Sequence, residues 1–564
     1  MKDDMKKYSI MNNMVKAALP SFLFALLPST VSAQEDFKII RGNCMPEGIV
    51  QSGAPATTTP SLRKKLPAIN TIWDAEKVYK QMVILIEFSD ETFDKENIPD
   101  PKDKYNHMLN EPGYNENNGV GCMADYFRTQ SGGLLNLQFD VFGPVTVSQK
   151  AQPYEKPTSN TRNYGSDSFK EATNKVLADN PDWDYKQYDW NGNGYINQVI
   201  FVYAGIPGNI SIETAYGHIW PNTSSFTTIT TPDGVRISNY TASGEKWPTS
   251  SYRSCGIGTI CHEFTHSLGL PDIYPTSSSM PFSAVDEWDL MDGGNFTNYG
   301  WCPPNYSPIE KMLLGWMTPV ELTDATTITD MKPIDQGGET YIVKHTDSEY
   351  LLLENRQWNG WDAGLPGKGL VIWHINYNIS TWNGNTVNNT KGKYGCSLFA
   401  ADNMDYDAWD EYMSDNKLST YRNSQRMNNY HLSGAPYPLQ QDNGTPLNDS
   451  LTDVSAPAAL MFNKNADGSN LLGKSISNIK MTADGLVSFD FMGGDPTGIC
   501  ASLTNSEQRT MGIYDLQGRR ISSAEANSCV PSVASDQRSS ASLFTPHSSL
   551  KKGLYIVNGK KVVK

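Results

Sequence analysis

The fifteen residues from Gly258 to Asp272, GTICHEFTHSLGLPD, constrain this chain more than any other stretch. On a helix His262 and His266 are four apart and project one above the other from a single face. That is the spacing at which two imidazoles can share a metal ion. Glu263 follows one residue on, where its carboxylate reaches a water at such an ion without ligating the ion itself. Gly269 stops the helix and tolerates a positive φ, so the chain can turn back and bring in Asp272 as a third ligand. Three protein ligands with one open position describe a catalytic zinc, whereas a structural zinc is closed by four. Two His and a Glu on one helix can also form a solvated face. With eight His among 564 residues, however, a chance HExxH is rare, and the added Gly and Asp make it rarer.

The sequence around this segment alternates two kinds of element. Met82 to Phe88 and Val199 to Tyr203 are short apolar runs of the buried-strand type, and Leu137 to Phe142 alternates as a half-buried strand. Met123 to Arg128, stopped by Gly132 and Gly133, and Ser168 to Leu177 read as helices. Strands interleaved with helices predict a mixed α/β (α+β) unit over 79–318, closing on the capping box Ser307–Pro308–Ile309–Glu310 with Gly315 as stop. From 319 the texture changes. Tyr341 to Val343, Tyr350 to Leu353, Gly369 to Trp373 and Val487 to Phe491 are short strands between turns, predicting a β-sandwich over 319–493 with a long polar insertion at 376–470. A small β-rich tail is expected over 498–564, with strand signals at Met511 to Leu516 and Gly553 to Val557 around a Ser-rich stretch.

Composition narrows the function classes. The 46 Lys+Arg against 61 Asp+Glu leave a net charge of −15, which gives nothing to neutralise a run of phosphates, so no nucleic-acid partner is expected. Lys6, Lys7 and Lys16 precede an apolar run from Ala17 to Leu27 and the small-residue site Val31–Ser32–Ala33, the layout of a signal peptide over 1–33. A polar pro-segment or linker over 34–78 follows. A secreted or cell-surface protein is expected. Eight Cys without a CxxC pair exclude a cysteine zinc ribbon and are too few for a disulfide-built scaffold.

A second motif, Trp288 to Gly294 (WDLMDGG), places Met291, 25 residues after His266, ahead of a Gly pair. HExxHxxGxxD followed by a Met-containing turn resembles the metzincin peptidases. The closer resemblance is to the immune inhibitor A family of secreted bacterial zinc metallopeptidases, carried by His262 to Asp272, Trp288 to Met291 and Ile219–Trp220–Pro221. Asp125 to Ser131, Leu352 to Arg356 and Gly369 to His374 also contribute, so that it spans roughly 80–490. The resemblance implies a metzincin-like catalytic domain, one Zn2+ on His262, His266 and Asp272, Glu263 as general base, Met291 as a floor beneath the metal, and protein or peptide substrates. The chain departs from many metzincins in having Asp272 for a third His. It also has Gly293 where some carry Tyr, leaving Tyr299 as a distant substitute. A thermolysin-like scheme would use a downstream Glu such as Glu287 or Glu310 instead. The tail, with Gly512 to Arg519 and Lys552 to Val563, resembles type IX secretion sorting domains, which implies outer-membrane secretion machinery as a partner.

Weaker candidates remain. Asp189, Asn191, Asn193 and Asn197 stand at oxygen-ligand positions of a calcium loop with Gly194 at its turn, but Ile200 holds the twelfth position, so Ca2+ and a plain Asx-rich turn both fit. His218 and His374 sit beside Trp and apolar residues, as packed histidines do. Cys44, in the lead segment, is a candidate latency ligand whose thiolate could fill the open metal position. The reading from another class is a surface adhesin or glycan-binding protein with a non-catalytic metal site, using the Asn-rich loops around Trp382 and Asn383.

Overall fold

The structure is a computed structural model. It describes residues 73–151, 165–210, 219–277, 280, 283–405, 432–440 and 444–494, and the backbone of two short strands at 554–557 and 560–563. The expected signal peptide, Cys44, His218 and the tail signal at Met511 to Leu516 lie outside these residues.

The first sheet contains β1 (Val78–Glu87), β2 (Asn136–Thr146), β3 (Val199–Tyr203), β4 (Asn222–Thr230) and β5 (Arg236–Gly244), in spatial order β2-β1-β3-β5-β4. The β1–β2, β1–β3 and β3–β5 pairs are parallel, and β4 closes one edge antiparallel to β5. Parallel neighbours require crossovers. Helices α1 (Pro101–Asn110) and α2 (Met123–Gln130) lie between β1 and β2, and α3 (Ser166–Asp179) between β2 and β3. Both faces of β1 are buried, Tyr79, Val83 and Leu85 in one apolar cluster and Met82, Ile84 and Ile86 in another. That is why its sequence reads as a continuous apolar run rather than an alternation. Helix α4 (Gly258–Ser267) follows β5, and α5 (Pro308–Leu313) starts where the capping box predicts, with Glu310 Oε2 accepting from the Ser307 amide at 3.0 Å.

The second sheet consists of β6 (Val320–Glu321), β8 (Tyr341–Lys344), β9 (Glu349–Arg356), β10 (Gly369–Asn376) and β11 (Cys396–Leu398), in order β11-β10-β9-β8-β6, with the short helix α6 (Ile379–Asn383) after β10. Here β7 (Thr326–Met331) joins a third sheet with β14 (Ile476–Met481) and β15 (Val487–Phe491). The hairpins β12 (Leu439–Gln440) with β13 (Pro446–Asn448), and β16 (Leu554–Val557) with β17 (Lys560–Val563), complete the strands. The second sheet is apolar on both faces. Leu351, Leu353, Leu370 and Ile372 share a cluster with Ile476, Val487 and Phe489 of the third sheet. Tyr350, Leu352, Val371, Trp373 and Ile375 belong to the same cluster as Ile260, Cys261 and Phe264 of α4. The chain is thus a mixed α/β protein with several sheets and few helices. Among the described residues, Cys122, Cys255, Cys261, Cys302 and Cys396 are all buried. Among the described residues no helix is long and apolar enough to cross a membrane.

Candidate metal centre

Helix α4 is buried at every residue but Thr259, so its polar side chains from His262 on must find partners inside the protein. Its start is pressed against the loop that follows the Met-containing turn: a Cβ on Gly258 would fall 2.0 Å from the Asn295 carbonyl oxygen, so only glycine permits this approach. At its other end Gly269 takes φ +105°, and the chain reverses as its sequence predicts.

The reversal returns Asp272 to the helix. Asp272 Oδ1 lies 3.2 Å from His262 Nε2 and 3.1 Å from His266 Nε2. Among the described residues these three form the only His/Cys/Asp/Glu group able to offer ligand atoms to one ion, all within 4.8 Å of one another. Each imidazole is oriented through its other nitrogen. His262 Nδ1 donates to the Leu290 carbonyl at 2.9 Å and His266 Nδ1 to the Leu270 carbonyl at 2.8 Å, which turns both Nε2 atoms toward Asp272. Two neutral imidazole nitrogens and one carboxylate oxygen are a donor set that fits a divalent transition metal. Burial works to lower the His262 pKa, but the hydrogen bond to Asp272 and the charges of Glu263 and Asp272 leave it above the ordinary value.

The Met-containing turn lies against both sides of the group. Leu290 supplies the carbonyl for His262, and the carbonyl of the fully buried Met291 accepts from the Ile273 amide, next to Asp272, at 2.8 Å. Met291 N is in turn held by Asp289 Oδ1 at 2.7 Å. Burial pushes the Asp289 and Glu310 carboxyls upward, and neither belongs to the ligand group. Glu287 is fully buried in the turn and is likewise outside it.

Glu263 is 7% exposed, and the Thr223 hydroxyl of β4 sits within reach of its backbone carbonyl and 3.2 Å from its Oε2. Thr223 carried no signal in the sequence. Nor did Asn385, whose side-chain amide donates to Asp272 Oδ2 at 2.7 Å and accepts from the Asp272 amide at 2.6 Å. The Asn-rich loop that suggested an adhesive surface is turned inward at Asn385, Asn388 and Asn389, which bond the 272–276 segment.

The remaining candidates stand apart from this group. His374 Nε2 meets Glu349 Oε1 at 2.8 Å, with its ring stacked 4.9 Å from Phe399 and 4.6 Å from Phe462. Tyr299 packs its ring between Trp247 and the Arg253 guanidinium. In the Asp189 loop both carboxylate oxygens accept from the loop's own amides, at Asn193 (3.1 Å) and Gly194 (2.7 Å). Asn193 Oδ1 accepts from Tyr195 N and Asn197 Oδ1 from Trp190 N, both at 2.8 Å, while Asn191 Oδ1 receives the Asn193 amide at 3.2 Å. These are bonds of the Asx-turn kind.

Residues 70–314 match the family described as immune inhibitor A peptidase M6, catalytic domain. This segment is similar to that family's catalytic domain. The chain is 26% identical over 314 residues to Immune inhibitor A of Bacillus thuringiensis subsp. alesti, covering 46% of this chain and 44% of that protein. It is 24% identical over 269 residues to the pre-pro-metalloprotease PrtV of Vibrio cholerae serotype O1 (strain M66-2), covering 42% and 29%. The matches thus span less than half the length of these curated relatives. The M6 segment contains α4, the Met-containing turn and all three residues of the buried group, and it stops short of Asn385.

Proposed function

We propose that this chain is a secreted zinc-dependent endopeptidase. His262, His266 and Asp272 would hold one Zn2+, Glu263 would serve as general base, and Met291 would support the site from below. The observation that carries this reading is the convergence of two carbonyl-oriented imidazoles on one carboxylate oxygen, with Glu263 next in sequence, inside a segment of a metallopeptidase family. It extends to the architecture: a metzincin-like catalytic domain over 79–318, a β-sandwich over 319–493, and a sorting-type tail over 498–564 that directs the protein to the cell surface or beyond.

Bound zinc supplies Lewis acidity, which acidifies water and polarises the scissile carbonyl. Glu263 takes a proton from the attacking water as the O–C bond forms, and gives it to the amine nitrogen as the C–N bond breaks. Thr223, at 3.2 Å, keeps the Glu263 carboxylate from swinging away from that path. The Leu290 and Leu270 carbonyls engage Nδ1 of both histidines, so that Nε2 is the nitrogen each would offer to the metal. Because the helix is buried, the Glu263 carboxylate works in a partly dehydrated setting where proton transfer is not levelled by bulk water.

Glu263→Ala tests the reading. The variant should retain near-stoichiometric zinc and lose hydrolysis of casein by several orders of magnitude, because the base is gone while the ligands remain. Wild-type protein should lose the same activity to a chelator and regain it with added zinc. Hydrolysis by the variant at the wild-type rate would overturn the role of Glu263.

A further inference from the structure

We propose that Asn385 is a positioning residue for the third metal ligand, so that the loop after α6 sets how tightly the metal is held. The inference rests on the reading of His262, His266 and Asp272 as ligands. The Asn385 amide closes a two-bond ring with one residue: Nδ2 donates to Asp272 Oδ2 at 2.7 Å, and Oδ1 accepts from Asp272 N at 2.6 Å. One bond fixes the carboxylate's rotation and the other fixes the backbone that carries it. With Oδ2 engaged, Oδ1 is left facing the two imidazoles, at 3.2 and 3.1 Å. An amide is suited to this task because it donates without a positive charge, which would lower the basicity of the ligand oxygen.

The loop is built to hold Asn385 there. The residue is 6% exposed and takes φ +56°, a left-handed conformation that Asn accepts more readily than most residues. Its own carbonyl accepts from the Thr276 hydroxyl at 2.8 Å. Asn388 Nδ2 donates to the Ile273 carbonyl at 3.0 Å, while its Oδ1 takes the Gly395 and Cys396 amides. Asn389 Oδ1 accepts from Thr276 N at 2.8 Å. Asn385 lies beyond residue 314, where the M6 segment ends, so the orientation of a ligand inside that segment is supplied from outside it.

The test is zinc release from the full chain to a chromogenic chelator, compared among wild type, Asn385→Gly, Asn385→Asp and Asn389→Ala. Glycine preserves the positive φ and removes the amide. Aspartate preserves shape and replaces the donor by a second acceptor facing Asp272. Asn389→Ala removes bonds to Thr276 and none to Asp272. Both Asn385 variants should release zinc roughly 10–100-fold faster, the range for loss of an outer hydrogen-bond partner. Asn389→Ala should stay within about threefold of wild type, and the metal-free melting temperature of Asn385→Gly should stay near that of wild type. Release from both Asn385 variants at the wild-type rate overturns the proposal. So does equal acceleration by Asn389→Ala, which would trace the effect to loop packing. A wild-type chain that takes up no zinc would instead overturn the ligand assignment itself.

Discussion

Asp272 meets two demands with two different oxygens, Oδ1 toward the imidazoles and Oδ2 toward Asn385. Deleting its carboxylate should therefore do more than deleting an outer partner. We expect Asp272→Ala to weaken zinc binding and peptide hydrolysis together by more than about 100-fold, since two imidazoles alone hold the ion poorly. Glu287→Gln should leave metal content near wild type, because Glu287 is buried in the turn outside the ligand group. Metal analysis of both variants checks this, and the reverse outcome would transfer the third ligand to Glu287. The group itself was legible in the sequence because its geometry is local: a helical spacing of four, then a glycine at φ +105° three residues later. Thr223 and Asn385 were not legible. Their bonds to Glu263 and Asp272 cross 40 and 113 residues, and a Thr in a strand or an Asn in an Asn-rich loop reads as an ordinary surface residue.

Elements with one dominant signal were read well, and those without one were missed. β3 and β15 have the predicted bounds because each is a short run with a buried apolar face. β4, NTSSFTTIT, has only two apolar side chains, the buried Phe226 and Ile229, so no run announced it, although it carries Thr223 to the site. Helix α1 was also missed. It has an N-terminal cap, Asp100 Oδ1 accepting from Asp103 N at 3.1 Å with Pro101 following, and a short buried stripe of Tyr105, Met108 and Leu109 set among polar residues. His374 on β10 has a structural rather than a chemical setting. Its partner Glu349 on β9 is fully buried and also accepts from the Phe462 and Asn463 amides, at 2.6 and 2.8 Å. Burial raises the Glu349 pKa, but the bonds from His374 and the two amides more than offset it and hold the carboxyl below its ordinary value. A depressed carboxyl contributes stability that is present above its unfolded pKa and lost as the pH falls through the folded one. Glu349→Gln should thus cost about 1–3 kcal/mol near neutral pH, the range for weakening hydrogen bonds to a buried charged acceptor. Urea unfolding across a pH series should show this difference shrinking as the pH falls below the ordinary carboxylate range. A difference independent of pH would detach the effect from the charge of Glu349.

At the scale of the whole molecule, the M6 segment and the sheets that follow it share one apolar cluster. Ile342, Tyr350, Leu352, Val371, Trp373, Ile375 and Leu398 are buried in the same cluster as Ile257, Ile260, Phe264 and Met291. A buried polar network runs alongside. Arg356 binds Asp362 through Nε at 2.5 Å and Nη2 at 2.6 Å, and Glu354 through Nη1 at 2.8 Å. Its Nη2 also reaches the Asn305 carbonyl, and Asn305 in turn accepts from Gln130 of α2 at 2.8 Å. The sequence separated the two halves at 319 because composition changes there, but periodicity along one strand cannot reveal what its second face will meet. Burying seven such side chains is worth on the order of 10–20 kcal/mol, as much as the whole net stability of a typical domain, about 5–15 kcal/mol. A chain ended after Thr318 would expose that surface, leave Asn305 without Arg356, and lose the Asn385 grip on Asp272. It should therefore unfold without a cooperative transition and fail to retain zinc on gel filtration, although His262, Glu263, His266 and Asp272 are present in it. Cooperative melting together with stoichiometric zinc in that truncation would show that the M6 segment needs nothing from the sheets behind it.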